Sequence, residues 1–441
     1  MEIILTLFYA FLFGFIILKS NFFKGMVFPP RVFAGVFILK ICIGFVLYLI
    51  YTIHYQDRAA TDIFKYFDDS YYMTEALWNK PADFFKMLFG YKNDSTYFNE
   101  MYYDKMNNWF RAYKSSMYND SHAIIRFNAV VRIFSLGYYH VHTVFFCFLS
   151  LIGLTALYKA ILLEYKAKQK LLFLVIFLLP SVLLWGSGVL KEGLMFFGLG
   201  FLILSLFHIN RSKGKNIHYW LLFIVGLMLL LFQVKFYVLA AFLTGIIAFS
   251  IVKQTRFKSI WLSYLIAFIA VVILGLNFHY ILPEFKIIDL LVLKQKDFIE
   301  LALTEEAGSY FEVTRLAPNF WSLIKTIPEA LINSLFRPFP WDASGLLLIV
   351  ACLENIFVFI ILLLSLIFYK KPTKETLNTV LFFFSAGILL MLIVGWTTPV
   401  SGALVRYKIP GVIGLLIAAV LVFDQKRACQ YFKQKIKKGN K

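Results

Sequence analysis

Three short stretches carry residues whose types and spacing could do chemistry. The first is LPSVLLWGSGVLKEGLMFFGLG, Leu179 to Gly200, where Gly186-Ser187-Gly188 precedes Lys191 and Glu192. A helix starting near Lys191 would aim unpaired N–H groups and a full ammonium charge at one anion, phosphate above all. The spacing of a nucleotide-binding P-loop is absent, and a plain hairpin in which Lys191 and Glu192 satisfy each other uses the same residues. The second stretch is HYQDRAATDIFKYFDDSYYMTEALW, with Asp57, Asp62, Asp68, Asp69 and Glu75 interleaved with Tyr66, Tyr71 and Tyr72. On a helix Asp62 and Tyr66 are neighbours, and Asp69 falls on the same face two turns on. Carboxylates beside phenols suit sugar binding and general-base work, although acids in an aqueous loop are more often simply solvated. The third stretch, FRPFPWDASG, keeps Arg337 and Trp341 on extended backbone through Pro338 and Pro340.

Composition sets the elements that must position these groups. Residues of hydrophobic type make up 60% of the 441 and charged ones only 16%, which no soluble domain with a wet surface sustains. Apolar runs recur at 2–18, 33–53, 139–163, 171–188, 193–209, 218–234, 236–252, 259–278, 344–369, 377–396 and 404–423, about eleven spans of the length a bilayer requires. The runs are continuous rather than alternating, so the chain reads as all-α and polytopic rather than as a barrel. Residues 1–423 form one integral domain with two long loops at 54–138 and 279–343, and 424–441 is a basic tail. Glu2 stands where a signal peptide would carry basic residues, so the first run is kept as a helix. Cys42, Cys147, Cys352 and Cys429 show neither disulfide nor zinc spacing.

The formal charge of +19 is distributed like a topology signal. Basic clusters at Lys19, Lys24 and Arg31, at Lys166, Lys168 and Lys170, at Arg211, Lys213 and Lys215, at Lys253, Arg256 and Lys258, at Lys370, Lys371 and Lys374, and in the tail fall at alternate connections. The positive-inside rule then puts the N-terminus outside and the tail in the cytoplasm, facing anionic headgroups; nucleic acid is not the expected partner. On this topology Lys191, Lys235, Arg337, Arg406 and Lys408 all lie at outer helix ends, where cations should be depleted. Snorkelling or pairing explains any one of them; five together suggest a shared anionic ligand. NDSHAIIRFNAVVRIFSLGYYH predicts an amphipathic helix on the outer leaflet or against the bundle, followed by His140 and His142 as interfacial residues rather than metal ligands. Glu354 lies well inside its span, with Asn355 or Lys40 as structural partners, and an acid at such depth is a functional candidate.

The order of these features resembles the GT-C superfamily of integral-membrane glycosyltransferases: a span, an outer loop with acids and amphipathic helices, further spans and outer cations. FILKICIGFVLYLIYTIHYQ with TDIFKYFDDS, LPSVLLWGSGVLKEG, FRPFPWDASG and GALVRYKIP are also similar to motifs of bacterial membrane proteins from envelope-polysaccharide loci. The resemblance implies transfer of a sugar from a polyprenyl-phosphate carrier to a cell-envelope glycan or lipid acceptor on the outer face of the cytoplasmic membrane. It assigns Asp62 as base, with Asp68 or Asp69 as its partner. Lys191, Arg337 and Arg406, with Lys235 and Lys408, would hold phosphate; Tyr66, Trp185, Glu192, Trp341 and Tyr407 would contact substrate. Two departures stand out: the acidic loop follows the second span, and the early acidic doublet is matched only loosely. The loop acids are the groups that a divalent cation would use, though they specify no ligand set. Oligosaccharide repeat-unit polymerases of the Wzy or EpsG type would place the weight on Arg315 and Arg337 instead. A lipid-linked glycan transporter or flippase would need Lys40 and Glu354.

Overall fold

The computed structural model describes residues 1–54, 58–110, 118–209, 217–254, 259–343 and 345–439. Asp57 and the basic residues Arg211, Lys213, Lys215, Arg256 and Lys258 lie outside them. The regular structure of the described residues is helical, with two isolated bridges, Tyr310 to Val400 and Tyr369 to Phe423, and no strand. Contacts divide the chain into two compact units, Met1–Leu163 with Val182–Leu239, and Glu164–Ser181 with Ala240–Lys441.

Among the described residues seven helices are long and apolar enough to cross a membrane, or eight if a pair bent by 50° counts as one. The all-helical architecture is compatible with a polytopic membrane protein, with fewer uninterrupted candidate spans among the described residues than the eleven apolar runs suggest. The shortfall has local causes. The run at 171–188 is split at Pro180 into α8 (Gln169–Phe177) and α9 (Pro180–Trp185). The runs at 218–234 and 236–252 fall in one 38-residue element, α11 (Ile217–Gln254), which is two helices across a kink at Lys235. The run at 259–278 gives α12 (Ile260–Leu276), of 17 residues.

In the first unit, α1 (Glu2–Lys19) lies against α2 (Pro30–His54) and along α7 (Tyr139–Glu164). Tyr9 meets Phe145 at 4.9 Å and Phe13 stacks on Phe148 at 4.4 Å, while the Glu2 carboxylate accepts the His140 N–H. Numbering rises in the same direction along both helices, so the starts of α1 and α7 lie at one end of the unit. Between α2 and α7 come α3 (Asp62–Asn79), α4 (Pro81–Phe89), α5 (Thr96–Met101) and α6 (Ser121–Ser135). The amphipathic pattern of 119–140 becomes α6, which buries Ile124, Ile125, Asn128, Ala129 and Val131 and packs against α3. His142 is not interfacial: fully buried, it bonds Asn128 Oδ1 at 2.7 Å and Ser135 Oγ at 2.8 Å and so ties α7 to α6. Helix α10 (Lys191–Ile209) crosses α7 where two glycines meet; a Cβ on Gly200 would lie 1.9 Å from the Gly153 carbonyl oxygen.

The second unit contains α13 (Ile287–Thr304), α14 (Phe320–Phe336), α15 (Leu346–Ile367), α16 (Lys374–Thr397), the bent pair α17 (Ser401–Tyr407) and α18 (Ile409–Val422), and the tail helix α19 (Gln425–Gly439). Lys168 Nζ donates to the carbonyls of Val420, Leu421 and Phe423 at the end of α18, the favourable place for a cation on a helix. The stretch 279–343, expected to be an outer loop, does not stay outside the bundle. Helix α14 packs on α16, its Ala330 against Gly395, and ends beside the middle of α15. There Asn355 Nδ2 donates to the carbonyls of Phe336 and Arg337, and Phe336 meets Phe359 at 5.5 Å. By helical rise Asn355 and Phe359 are about 14 and about 20 Å along α15 from its start.

Candidate functional site

The first unit gathers part of the expected constellation. Helix α3 opens on Asp62, and Tyr66, one turn later and buried, donates its hydroxyl to Asp62 Oδ1 at 3.4 Å. The Lys191 ammonium stands 5.1 Å from the centre of the Tyr66 ring. It donates to Asp120 Oδ1 at 2.9 Å and to Ser121 Oγ at 3.2 Å, and Asn108 Nδ2 also reaches that hydroxyl at 2.9 Å. Lys191 is 10% exposed in its side chain, whereas Asp62 and Asp120 are 36% and 37% exposed. An almost buried cation therefore stands behind two carboxylates that solvent can reach, the polarity needed to hold an anion beside a proton acceptor.

Lys191 and Glu192 do not satisfy each other. Successive helical residues point about 100° apart, and Glu192 turns inward to accept from Lys235 at 2.9 Å, with the side chains 0% and 2% exposed. Lys235 is thus a buried partner of Glu192 at the kink of α11. Trp185 is buried as well; of the four groups Trp185, Lys191, Glu192 and Lys235, it is Lys191 whose described contacts reach Tyr66.

The other two aspartates have separate partners. Arg58 grips Asp68 in a two-pronged pair, Nε to Oδ2 at 2.8 Å and Nη2 to Oδ1 at 2.9 Å, which holds the guanidinium pKa above its usual value. Asp69 is fully buried and accepts the backbone N–H groups of Asn107 and Asn108 at 2.7 and 2.9 Å. Burial raises its carboxyl to about 6, partly opposed by those two bonds. Arg132, half-buried on α6, donates to Ser70 Oγ and the Phe67 carbonyl, and desolvation lowers its guanidinium to about 10. These contacts lock the loop helices together.

The backbone from Gly186 to Leu190 leaves helical geometry deep inside this unit, not at its rim. A Cβ on Gly186 would meet Lys40 Nζ and Ser150 Oγ at 2.9 Å, and one on Gly44 would meet the Ser187 carbonyl at 2.7 Å. Lys40 is fully buried near the middle of α2 and donates to the Val182 carbonyl at 3.3 Å. The expectation that the helix before Gly186 climbs to the outer face at Trp185 is therefore corrected: it stops beside Lys40, and non-helical chain covers the remaining distance to Lys191.

The second unit holds the other expected cations. Arg337 donates to Asp342 Oδ2 at 2.6 Å and to Asn333 Oδ1 at 3.0 Å, and its guanidinium lies 4.2 Å from the centre of the Phe311 ring. Lys408, buried at the α17–α18 bend, donates to the Arg337 carbonyl at 2.9 Å and to Asn355 Oδ1 at 2.7 Å. Its ammonium thus fixes the backbone that carries Arg337. Arg406 and Tyr407 are half-buried on α17, Tyr407 against Phe298 at 5.8 Å. Trp341 stacks on Phe339 at 4.9 Å and is 79% exposed. Glu354 accepts from the Ser181 N–H at 2.6 Å and the Ser181 hydroxyl at 2.5 Å, a carboxylate at the start of α9 rather than a partner of Asn355.

Asp120, Ser121 and Arg58 escaped the reading of motifs. Asp120 had a signal, an acid immediately before an amphipathic run, where helices take their caps; nothing local marks its distant lysine. Among the described residues no group of three or more His, Cys, Asp or Glu side chains is placed to hold a metal. Compared with protein-family models, curated proteins and solved structures, the chain matches none of them.

Proposed function

We propose that the protein is an integral-membrane glycosyltransferase that moves a sugar from a polyprenyl-phosphate carrier to an envelope glycan or lipid acceptor at the outer face of the cytoplasmic membrane. The observation that carries the reading is the connected group Lys191, Asp120, Ser121, Tyr66 and Asp62. In the reaction the acceptor oxygen attacks the anomeric carbon, the carbon–oxygen bond to phosphate breaks, and a carboxylate takes the acceptor proton. Asp62 is the base in this reading. Lys191 neutralises the charge gathering on the departing phosphate, and stabilisation of that kind in a dry site is usually the larger contribution. Asp120 is the counter-ion that Lys191 exchanges for phosphate.

The test is turnover of a polyprenyl-phosphate sugar by purified Asp62→Asn, Lys191→Ala and Glu354→Gln variants. Loss of either catalytic group should slow transfer about 100-fold or more, while Glu354→Gln keeps most of the activity. Transfer that survives the combined loss of Asp62 and Lys191 ends the proposal. Dependence on Arg315 and Arg337 with indifference to Asp62 would turn the reading to a repeat-unit polymerase, and dependence on Glu354 and Lys40 to transport.

A further inference from the structure

Helix α14 presents apolar residues on both of its sides. One side is core: Leu323 and Ala330 pack with Trp396 and Leu316, and Ile327 and Leu392 close around them. Facing the other way, Trp321, Ile324, Pro328 and Ile332 follow one another at helical spacing and are exposed, Trp321 at 68% and Ile332 at 48%. A stripe of this kind in water would be an aggregation hazard or a binding surface. What fixes its surroundings is depth. Directly below the stripe the carbonyls of Phe336 and Arg337 accept from Asn355 and the Phe336 ring packs on Phe359, beside the middle of a helix long and apolar enough to span a bilayer. The chain then turns through RPFPWD and returns to the start of α15 at Leu346.

We infer that residues 320–343 form a re-entrant hairpin whose outward stripe, Trp321 to Ile332, is covered by the acyl chains of bilayer lipids. Trp321 opens the descending arm and Trp341, also largely exposed, lies on the returning one; both suit the headgroup level, where indole rings collect. Two charged residues flank the stripe: Lys325 lies near the top of α14, where its long stem lets the ammonium reach the same level, and the Glu329 carboxylate accepts the Thr314 N–H at 2.9 Å. Non-helical backbone at such depth is tolerated only where protein satisfies it. Here Asn355 and Lys408 do so, both bonding the Arg337 carbonyl. The inference rests on the chain being a membrane protein and not on glycosyl transfer, so it stands or falls separately.

The experiment uses the full chain with its four cysteines replaced and a single cysteine at Ile332 or, as control, at the exposed Glu312. Each variant is labelled with a small fluorophore in detergent and reconstituted into vesicles. Lipids brominated near the middle of the acyl chain should quench the label at position 332 severalfold more than the one at 312, and aqueous iodide should show the reverse order. Iodide quenching at 332 equal to that at 312 would overturn the hairpin. Protection from both quenchers would also overturn it, because a protein surface such as a second copy would then cover the stripe. Should Ile332→Cys fail to fold, Ile324→Cys probes the same stripe.

Discussion

Replacing Lys235 with Met tests the packing behind the candidate site. The Lys235–Glu192 pair is 2.9 Å long with side chains 2% and 0% exposed, so its gross attraction at an effective dielectric of about 20 is about 6 kcal/mol. Desolvation of both ions offsets most of that sum, and the net value of such a pair is small. Removing one partner is different: the remaining charge stays buried without its counter-ion, at about 3–5 kcal/mol. Lys235→Met and Glu192→Gln should therefore each lower the thermal unfolding midpoint of the purified protein markedly. The double variant should recover most of the loss, because no uncompensated charge remains. A double-mutant cycle on unfolding midpoints in one detergent reads this directly. Additive losses, or single variants indistinguishable from wild type, would refute the reasoning and with it the placement of Glu192 facing away from Lys191.

Two further outcomes follow from the first unit. Gly200→Ala should destabilise the fold by about 1–3 kcal/mol or more, since its Cβ would lie 1.9 Å from the Gly153 carbonyl oxygen, whereas Gly14→Ala, with nothing within 4 Å, should be neutral; equal unfolding midpoints for the two would contradict the close α7–α10 crossing. Burial raises the Asp69 carboxyl from 3.8 to about 6, so the folded chain keeps a proton that the unfolded chain has released. The stability this contributes is complete below pH 3.8 and lost as pH rises through about 6. The wild-type midpoint should accordingly fall relative to that of Asp69→Asn across this window, and a difference independent of pH would contradict the assignment.

Much of the helical content was legible because hydropathy runs report burial in lipid or protein equally well. For the same reason they could not separate spans from shorter elements: nothing in the run at 171–188 shows that its helix stops beside Lys40, and nothing in 318–336 shows that it reaches the middle of α15. Periodicity fared well where the interaction is one turn long. Asp62 and Tyr66 meet as their spacing on α3 requires, and α6 buries the face its pattern marks. It failed for Asp69, which shares that spacing but accepts backbone N–H groups from a loop far along the chain. Charge partners were the least legible. Lys191 sits beside Glu192 in sequence, yet its acid is Asp120 and Glu192's base is Lys235, pairings created by tertiary packing alone.

The central claim is that the Lys191 ammonium holds a lipid-borne phosphate. Its most direct measurement is binding of polyprenyl phosphate, without sugar, to the purified protein in lipid nanodiscs, read by native mass spectrometry for wild type, Lys191→Ala and Lys191→Arg. We expect about tenfold or greater weakening in the alanine variant, as loss of a charge-assisted contact worth about 1.5–3 kcal/mol requires, with partial recovery in the arginine variant. Equal affinity in all three proteins would contradict the account.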